Sequence, residues 1–396
     1  MKNHSYLFLI FICFCSIFIY FANSSKKPTI NVYSWGEFIS NGVNGSLDVN
    51  AEFENETGIN VSLSIFQSNE EMYANLIGGG ADYDVVIPSD YMISRMIQEN
   101  MLSKLNFDNI PNYKFINKNH KNLTFDPKNE YSVPYTWGVL GIFYNEKYVK
   151  GEISWESLWD KKYKGKILMF DNFRDAFGIP FIKKGISVNS IDENDWKSAA
   201  EELKIQKPLV QNYMMDQIYD KLSGEEAYIA PYYCGCSLPD NLINGNYINF
   251  VIPEQGTNKF VDSMCVPKIS TKKTEAEKYI NFMCQKRIAL ANASVSEYIP
   301  AQKDAEAEII SDSEVFSNYN FKKAQVYKNL PYKIQKLADD LWVEIKAGDE
   351  NSITDSIILS IIFILLILIY LNPLFKKLIY FLKKTRKRKR CQKLYL

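Results

Sequence analysis

The chain has 396 residues, 46 Lys plus Arg against 46 Asp plus Glu, 46% hydrophobic and 14% aromatic residues, and only two His. The neutral balance hides two unlike parts: every acid lies at or before Asp355, ten basic residues follow it and one is Lys2, which leaves 35 basic against 46 acidic residues in between. An acidic surface attracts cations and repels nucleic acid, which argues against DNA or RNA as a partner, and two imidazoles give poor support to a zinc cluster.

In chain order, Lys2 precedes an apolar run from Tyr6 to Ala22, followed by Asn-Ser-Ser-Lys-Lys at 23–27. Residues 1–28 therefore read as a signal peptide or a signal anchor; no small-x-small cleavage site surrounds Ala22, which favours retention. Cys13 and Cys15 inside the run read as apolar filler. Thr29-Ile-Asn-Val-Tyr33 alternates with β-branched residues and predicts a strand. Leu47–Thr57 predicts a helix closed by Gly58, and Ile59–Phe66 a second strand. Ser68 and Asn69 are caps for a helix over Glu70–Ile77 that the glycines at 78–80 end. Asp84–Ile87 is a short buried strand stopped by Pro88, and Ser89-Asp90 opens a helix running to Asn100. The order β-α-β-α-β-α predicts a mostly parallel sheet with helices on both faces, and such sheets bind ligands beyond the carboxyl ends of their strands. The alternation resumes after Val139, and Leu330–Lys346 has helical spacing.

The stretch 356–375 is uncharged and apolar, close to the ~20 residues a helix needs to cross ~30 Å of hydrocarbon. Residues 353–375 are expected to form a transmembrane helix, and the basic tail 376–396 to lie in the cytoplasm against anionic membrane lipid. The remaining outer part, about 325 residues, is large enough for two lobes. Cys234, Cys236, Cys265 and Cys284 fall in it; Cys-Gly-Cys is not the redox spacing, and their pairing stays open.

Two predicted strand ends carry unusual residues. Tyr33-Ser-Trp-Gly-Glu-Phe38 follows the first strand and Pro88-Ser-Asp-Tyr91 the third, placing Trp35, Glu37, Asp90 and Tyr91 at a common crevice. Spacing alone allows loop packing for Trp35 and Tyr91, helix capping for Glu37 and Asp90, and a turn before a strand for Asp262.

These segments, with Phe53-Glu-Asn-Glu-Thr-Gly-Ile-Asn-Val61, Ser68-Asn-Glu-Glu-Met-Tyr73, Asp82-Tyr-Asp-Val-Val-Ile-Pro-Ser-Asp-Tyr91 and Val133-Pro-Tyr-Thr-Trp-Gly-Val139, resemble the periplasmic spermidine/putrescine-binding proteins of ABC importers. The resemblance continues through Trp155-Glu-Ser-Leu-Trp-Asp160, Lys164-Gly-Lys-Ile-Leu168, Asp262-Ser-Met-Cys-Val-Pro267, Tyr279-Ile-Asn-Phe282 and Tyr298-Ile-Pro-Ala301, in order over roughly residues 29–348. It implies a two-lobed α/β fold of the type II periplasmic-binding-protein kind, each lobe a mixed sheet flanked by helices. Lobe 1 is then 29–138 with 264–307, and lobe 2 is 139–263 with 308–349. It also implies polyamine (spermidine or putrescine) as the ligand and permease and ATPase subunits of an ABC transporter as partners, with no cofactor and no metal.

A polyamine needs carboxylates for its ammonium groups and aromatic faces along its stem. By resemblance, Trp35, Phe38, Tyr91, Tyr233, Phe260 and Tyr298 are the aromatic walls. Glu37, Asp175 and Asp262 are the carboxylates, with Ser89 and Asp90 adding hydrogen bonds. The chain departs from the family at Asp171-Asn-Phe-Arg-Asp175, where Asn172 replaces one amine-facing acid. No G-x-S-x-G, H-E-x-x-H or P-loop is present, so an enzyme is not expected. The alternatives are a binder of the same fold for another small cation or iron, and a membrane-anchored ligand sensor.

Overall fold

The first strand, β1 (Thr29–Trp35), runs two residues beyond its expected end because parallel pairing with β2 (Asn60–Phe66) continues to Trp35 opposite Phe66. The structure, a computed structural model, describes residues 27–79, 82–215, 217–235, 247–312 and 323–347, together with 316, 377, 380 and 381. Both expected membrane segments, 6–22 and 353–375, lie outside these residues, as does Cys236. Among the described residues no helix is long and apolar enough to cross a membrane.

Helix starts follow side-chain chemistry. Helix α1 (Val49–Thr57) begins two residues later than expected because Asp48 caps it, accepting from the Ala51 backbone N–H at 2.9 Å, and Gly58 closes it at φ 72°. A capped end satisfies a backbone donor that no helical carbonyl can reach. Ser68 caps α2 (Asn69–Ile77) in the same way, at 3.1 Å to the Glu71 N–H. Strand β3 (Val85–Val86) and helix α3 (Asp90–Gln98) follow.

The parallel order holds for β1, β2 and β3, and again for β5 (Ile167–Phe170), β6 (Val210–Met214) and β7 (Ile229–Cys234). Between the two groups stand antiparallel strands that the sequence pattern did not separate: β4 (Ser132–Asn145) and β9 (Thr257–Cys265). They join the two groups into one hydrogen-bonded sheet of order β2-β1-β3-β9-β4-β7-β5-β6, with β8 (Ile248–Val251) and β10 (Ile299–Pro300) on β4 and β11 (Ala324–Gln325) on β9. The mixture of parallel and antiparallel pairing agrees with the expected mixed α/β fold, and the crossing strands link the two groups along one hydrogen-bonded path. β4 pairs with β9 from Ser132 to Val139 and with β7 from Val139 to Tyr144, so one strand serves both groups. Its side chains are nearly all buried, which explains a run without alternation.

Helices α4 (Phe173–Lys183), α5 (Glu193–Gln206), α6 (Ile218–Ser223), α7 (Lys273–Met283), α8 (Lys286–Ser296) and α9 (Lys303–Asp312) complete the part ending at Leu337. One core forms where Phe53 of α1 meets Tyr279 and Phe282 of α7 edge-on, at 5.0 and 5.4 Å between ring centres. A second forms where Trp196 of α5 packs on Phe177 and Phe181 of α4, at 5.2 and 4.9 Å. A second compact unit starts at Ala338, within helix α10 (Tyr332–Ala347).

A candidate ligand crevice

The carboxyl ends of β1 and β3, the start of α4 and the middle of β9 surround a cavity of about 900 Å³. All twelve residues singled out from the sequence line it: Trp35, Glu37 and Phe38 after β1, Ser89, Asp90 and Tyr91 at the start of α3, Asn172 and Asp175 at the start of α4, Tyr233 on β7, Phe260 and Asp262 on β9, and Tyr298 before β10. Their contributions differ. Glu37 is exposed, with φ 57°, so its place is the rim. Asn172 caps α4, its side-chain oxygen accepting from the Arg174 N–H at 2.9 Å. Asp90 stands at the first position of α3 and is fully buried.

Aromatic rings form a connected wall. Phe38 meets Tyr298 at 5.5 Å, Tyr298 meets Phe260 at 5.4 Å and Phe260 meets Tyr233 at 5.1 Å, each edge to face. Trp35 extends the wall through Phe38, with ring centres 6.3 Å apart, and is backed by Phe66 edge-on at 4.6 Å. The faces of aromatic rings carry negative potential that attracts a cation. Gly138 makes room for the wall: a Cβ there would come within 2.6 Å of the Phe260 ring and 2.7 Å of the Cys234 carbonyl oxygen.

Three carboxyls, Asp90, Asp175 and Asp262, are almost wholly removed from water on three separate elements. Ser89 pairs with Asp262 across an antiparallel bridge, and the Ser263 N–H donates to the Pro88 carbonyl at 3.1 Å, which brings the start of α3 against β9. Asp175 is held by two phenols: the Tyr233 hydroxyl donates to its Oδ2, and the Tyr327 hydroxyl shares its proton between Asp175 Oδ1 at 3.1 Å and the Arg174 carbonyl at 3.0 Å. Burial pushes Asp175 up to about 6, against these two hydrogen bonds and the Arg174 charge, which pull it down. Burial raises Asp262 to about 7, with Ser89 opposing and the Asp175 charge adding. Burial also lifts Asp90 well above the carboxylate range, and the neighbouring Asp262 charge adds to that.

Asp90 Oδ2, Asp262 Oδ1 and the Trp35 indole N–H are buried and lack a hydrogen-bond partner. Leaving such a group unmade costs about 1–3 kcal/mol. The two carboxyl oxygens define what would satisfy them: a ligand with N–H donors of its own, positively charged to balance the acids; the indole N–H needs an acceptor that such a group does not supply. Among the described residues no group of three or more His, Cys, Asp or Glu is arranged to hold a metal ion. Cys265 and Cys284 are buried free thiols.

Several crevice residues gave no clear sign in the sequence. Tyr327, beyond β11, reaches Asp175 only because Gly178 leaves space: a Cβ there would fall 2.5 Å from the Tyr327 hydroxyl. Asn69, expected as a cap, instead accepts from the Ser89 N–H and donates to the Tyr91 hydroxyl, each at 3.1 Å, and so fixes the turn before α3. Arg174 is buried below the crevice, its guanidinium 4.4 Å over the Tyr327 ring.

A sheet whose strand ends and switch points open on one aromatic and acidic crevice defines a receptor for a small solute. The chain belongs to the bacterial extracellular solute-binding proteins, whose family model matches residues 82–325. It is therefore a binding component of transport, not an enzyme. It is 30% identical over 335 residues to the spermidine/putrescine-binding periplasmic protein of Escherichia coli, covering 83% of this chain and 94% of that one. It is 27% identical over 353 residues to the putrescine-binding periplasmic protein SpuD of Pseudomonas aeruginosa, covering 83% and 94%. Among solved structures, the spermidine/putrescine ABC transporter substrate-binding protein PotD of Streptococcus pneumoniae superposes with TM-score 0.69 at 30% identity, covering 81% of this chain and 98% of that one.

Proposed function

We propose that this chain captures a polyamine, spermidine or putrescine, in the crevice and delivers it to the permease and ATPase of an ABC importer. The observation that carries this reading is the pair of buried, unpartnered carboxylate oxygens on Asp90 and Asp262 beside an aromatic wall. An ammonium group supplies both the donors and the charge that these acids lack, and the wall suits the methylene stem between ammonium groups. The names borne by the relatives support the same choice of ligand.

In this reading the molecule has two lobes, dividing near residues 138/139, 263/264 and 307/308, and closes on ligand by bending where β4 and β9 cross between the strand groups. Carboxyls from both sides, Asp90 and Asp175, then meet one ligand. The uncharged stretch at 356–375 and the basic residues after it tether the receptor to the membrane, with the crevice outside the cell, which raises its effective concentration at the importer.

Native mass spectrometry of the purified full-length chain tests the ligand assignment. A co-purifying diamine or triamine is expected, displaced by added putrescine or spermidine. A co-purifying sugar, anion or metal complex that neither amine displaces would overturn it.

A further inference from the structure

We infer that Asp90 and Asp262 work as one proton-exchanging pair: in the empty crevice they together hold a proton, and an arriving ammonium group takes its place, so that each ligand captured sends one proton to solvent. The inference rests on the polyamine reading above and adds to it a dependence on pH. A carboxylic acid and an ammonium ion become a carboxylate–ammonium pair and one released proton, so charge and atoms balance.

The geometry separates this pair from the third acid. Both oxygens of Asp175 accept from tyrosine hydroxyls, Tyr233 and Tyr327, which favour its ionised form. Asp90 and Asp262 sit on segments joined through the Ser89–Asp262 bridge, and each keeps one buried oxygen without a donor. Arg174 is the buried cation nearest in effect, yet its terminal nitrogens are committed to neutral acceptors: the Val188 carbonyl at 3.0 Å, Asn189 Oδ1 at 2.9 Å and the Lys328 carbonyl at 3.1 Å. Its charge reaches Asp90 through space only.

The groups facing the pair are Arg174 and Asp175 from α4, Tyr91 from α3 itself, and Tyr327 beyond β11. Tyr91 and Tyr327 are held neutral by burial, well above their ordinary range. Two like charges so close and so dry do not both stay ionised, and their titration belongs to the pair. Burial places the Asp262 midpoint at about 7 and raises Asp90 as well, so the proton is present near neutrality.

Calorimetric titration of the full-length chain with putrescine and with spermidine, one pH unit above the Asp262 midpoint of about 7, where Asp175 and Asp262 are ionised and the pair's remaining proton is on Asp90, and in two buffers of different ionisation enthalpy, decides the matter. About one proton released per amine bound is expected, with affinity falling about tenfold for each unit by which pH is lowered toward that midpoint. The Asp90→Asn variant should release almost none and show a flatter pH profile. Carbon-13 NMR of the aspartate carboxyls in the unaltered chain reads the same event without a variant: a carboxyl titrating near neutrality in the empty protein, and ionised throughout once amine is bound. Binding with equal heat in both buffers overturns the pair and leaves the polyamine reading standing. No binding heat with either amine overturns both.

Discussion

Asp262 concentrates what the crevice asks of a single residue. Buried, flanked by Asp90 and Asp175, and short of a donor on Oδ1, it is placed to hold an ammonium group and is costly without one. Asp262→Asn is expected to weaken polyamine binding by about 2–5 kcal/mol, thirtyfold or more, since a ligand charge is left unpaired in a dry site; isothermal calorimetry reads this. The same variant is expected to stabilise the empty protein. A carboxyl whose folded pKa is raised contributes stability that is fully present below its unfolded value and lost as pH rises through about 7. The amide has no charge to desolvate, so at alkaline pH the variant should melt above the unaltered chain, by on the order of a few kcal/mol. Tyr327→Phe removes a donor to Asp175 Oδ1, so the Asp175 midpoint should rise above about 6 and amine affinity at neutral pH should fall. NMR titration of the carboxyl and calorimetry check the two halves of that statement.

At the scale of elements, the parts legible in the sequence were those written locally. Asp48, Gly58 and Ser68 mark helix ends by side-chain chemistry that needs only a few neighbouring residues. The crossing strands were less visible, because β4 is buried on both faces and its partners lie as far away as Lys259 and Ile299. Its importance to the crevice comes through Gly138, whose missing side chain admits the Phe260 ring. Gly138→Ala is expected to destabilise the protein by about 1–3 kcal/mol through overpacking and to weaken amine binding by displacing that ring. Thermal melts and calorimetry on the same sample separate the two effects. For comparison, Asp48→Ala should cost about 1 kcal/mol of stability from the lost cap and leave binding unchanged, since α1 lies away from the cavity.

At the scale of the whole molecule, the crevice residues could be gathered from the sequence because segments distant in the chain each carried a recognisable pattern in the right order. What spacing could not supply was their roles: that Asn172 is spent as a helix cap, that Glu37 stands at the rim, and that Tyr327 completes Asp175. Those follow from contacts between elements far apart in the chain. The three raised carboxyls also give the empty receptor a pH signature. Its stability should decline as pH rises from about 4, the unfolded carboxylate value, through about 6 and about 7, where Asp175 and then Asp262 ionise, opposed in the acid range by His120, whose imidazole burial holds neutral. Bound amine should offset the alkaline loss, so that the ligand-induced rise in melting temperature grows with pH.

A crystal structure of the chain grown with spermidine or putrescine shows whether a cationic amine occupies this crevice. An amine is expected to lie along the Phe38–Tyr298–Phe260–Tyr233 wall, with an ammonium nitrogen about 2.9 Å from a carboxylate oxygen of Asp262 or Asp90. An amine bound elsewhere, or a crevice that stays closed to both amines while holding an anionic or neutral solute, would contradict it.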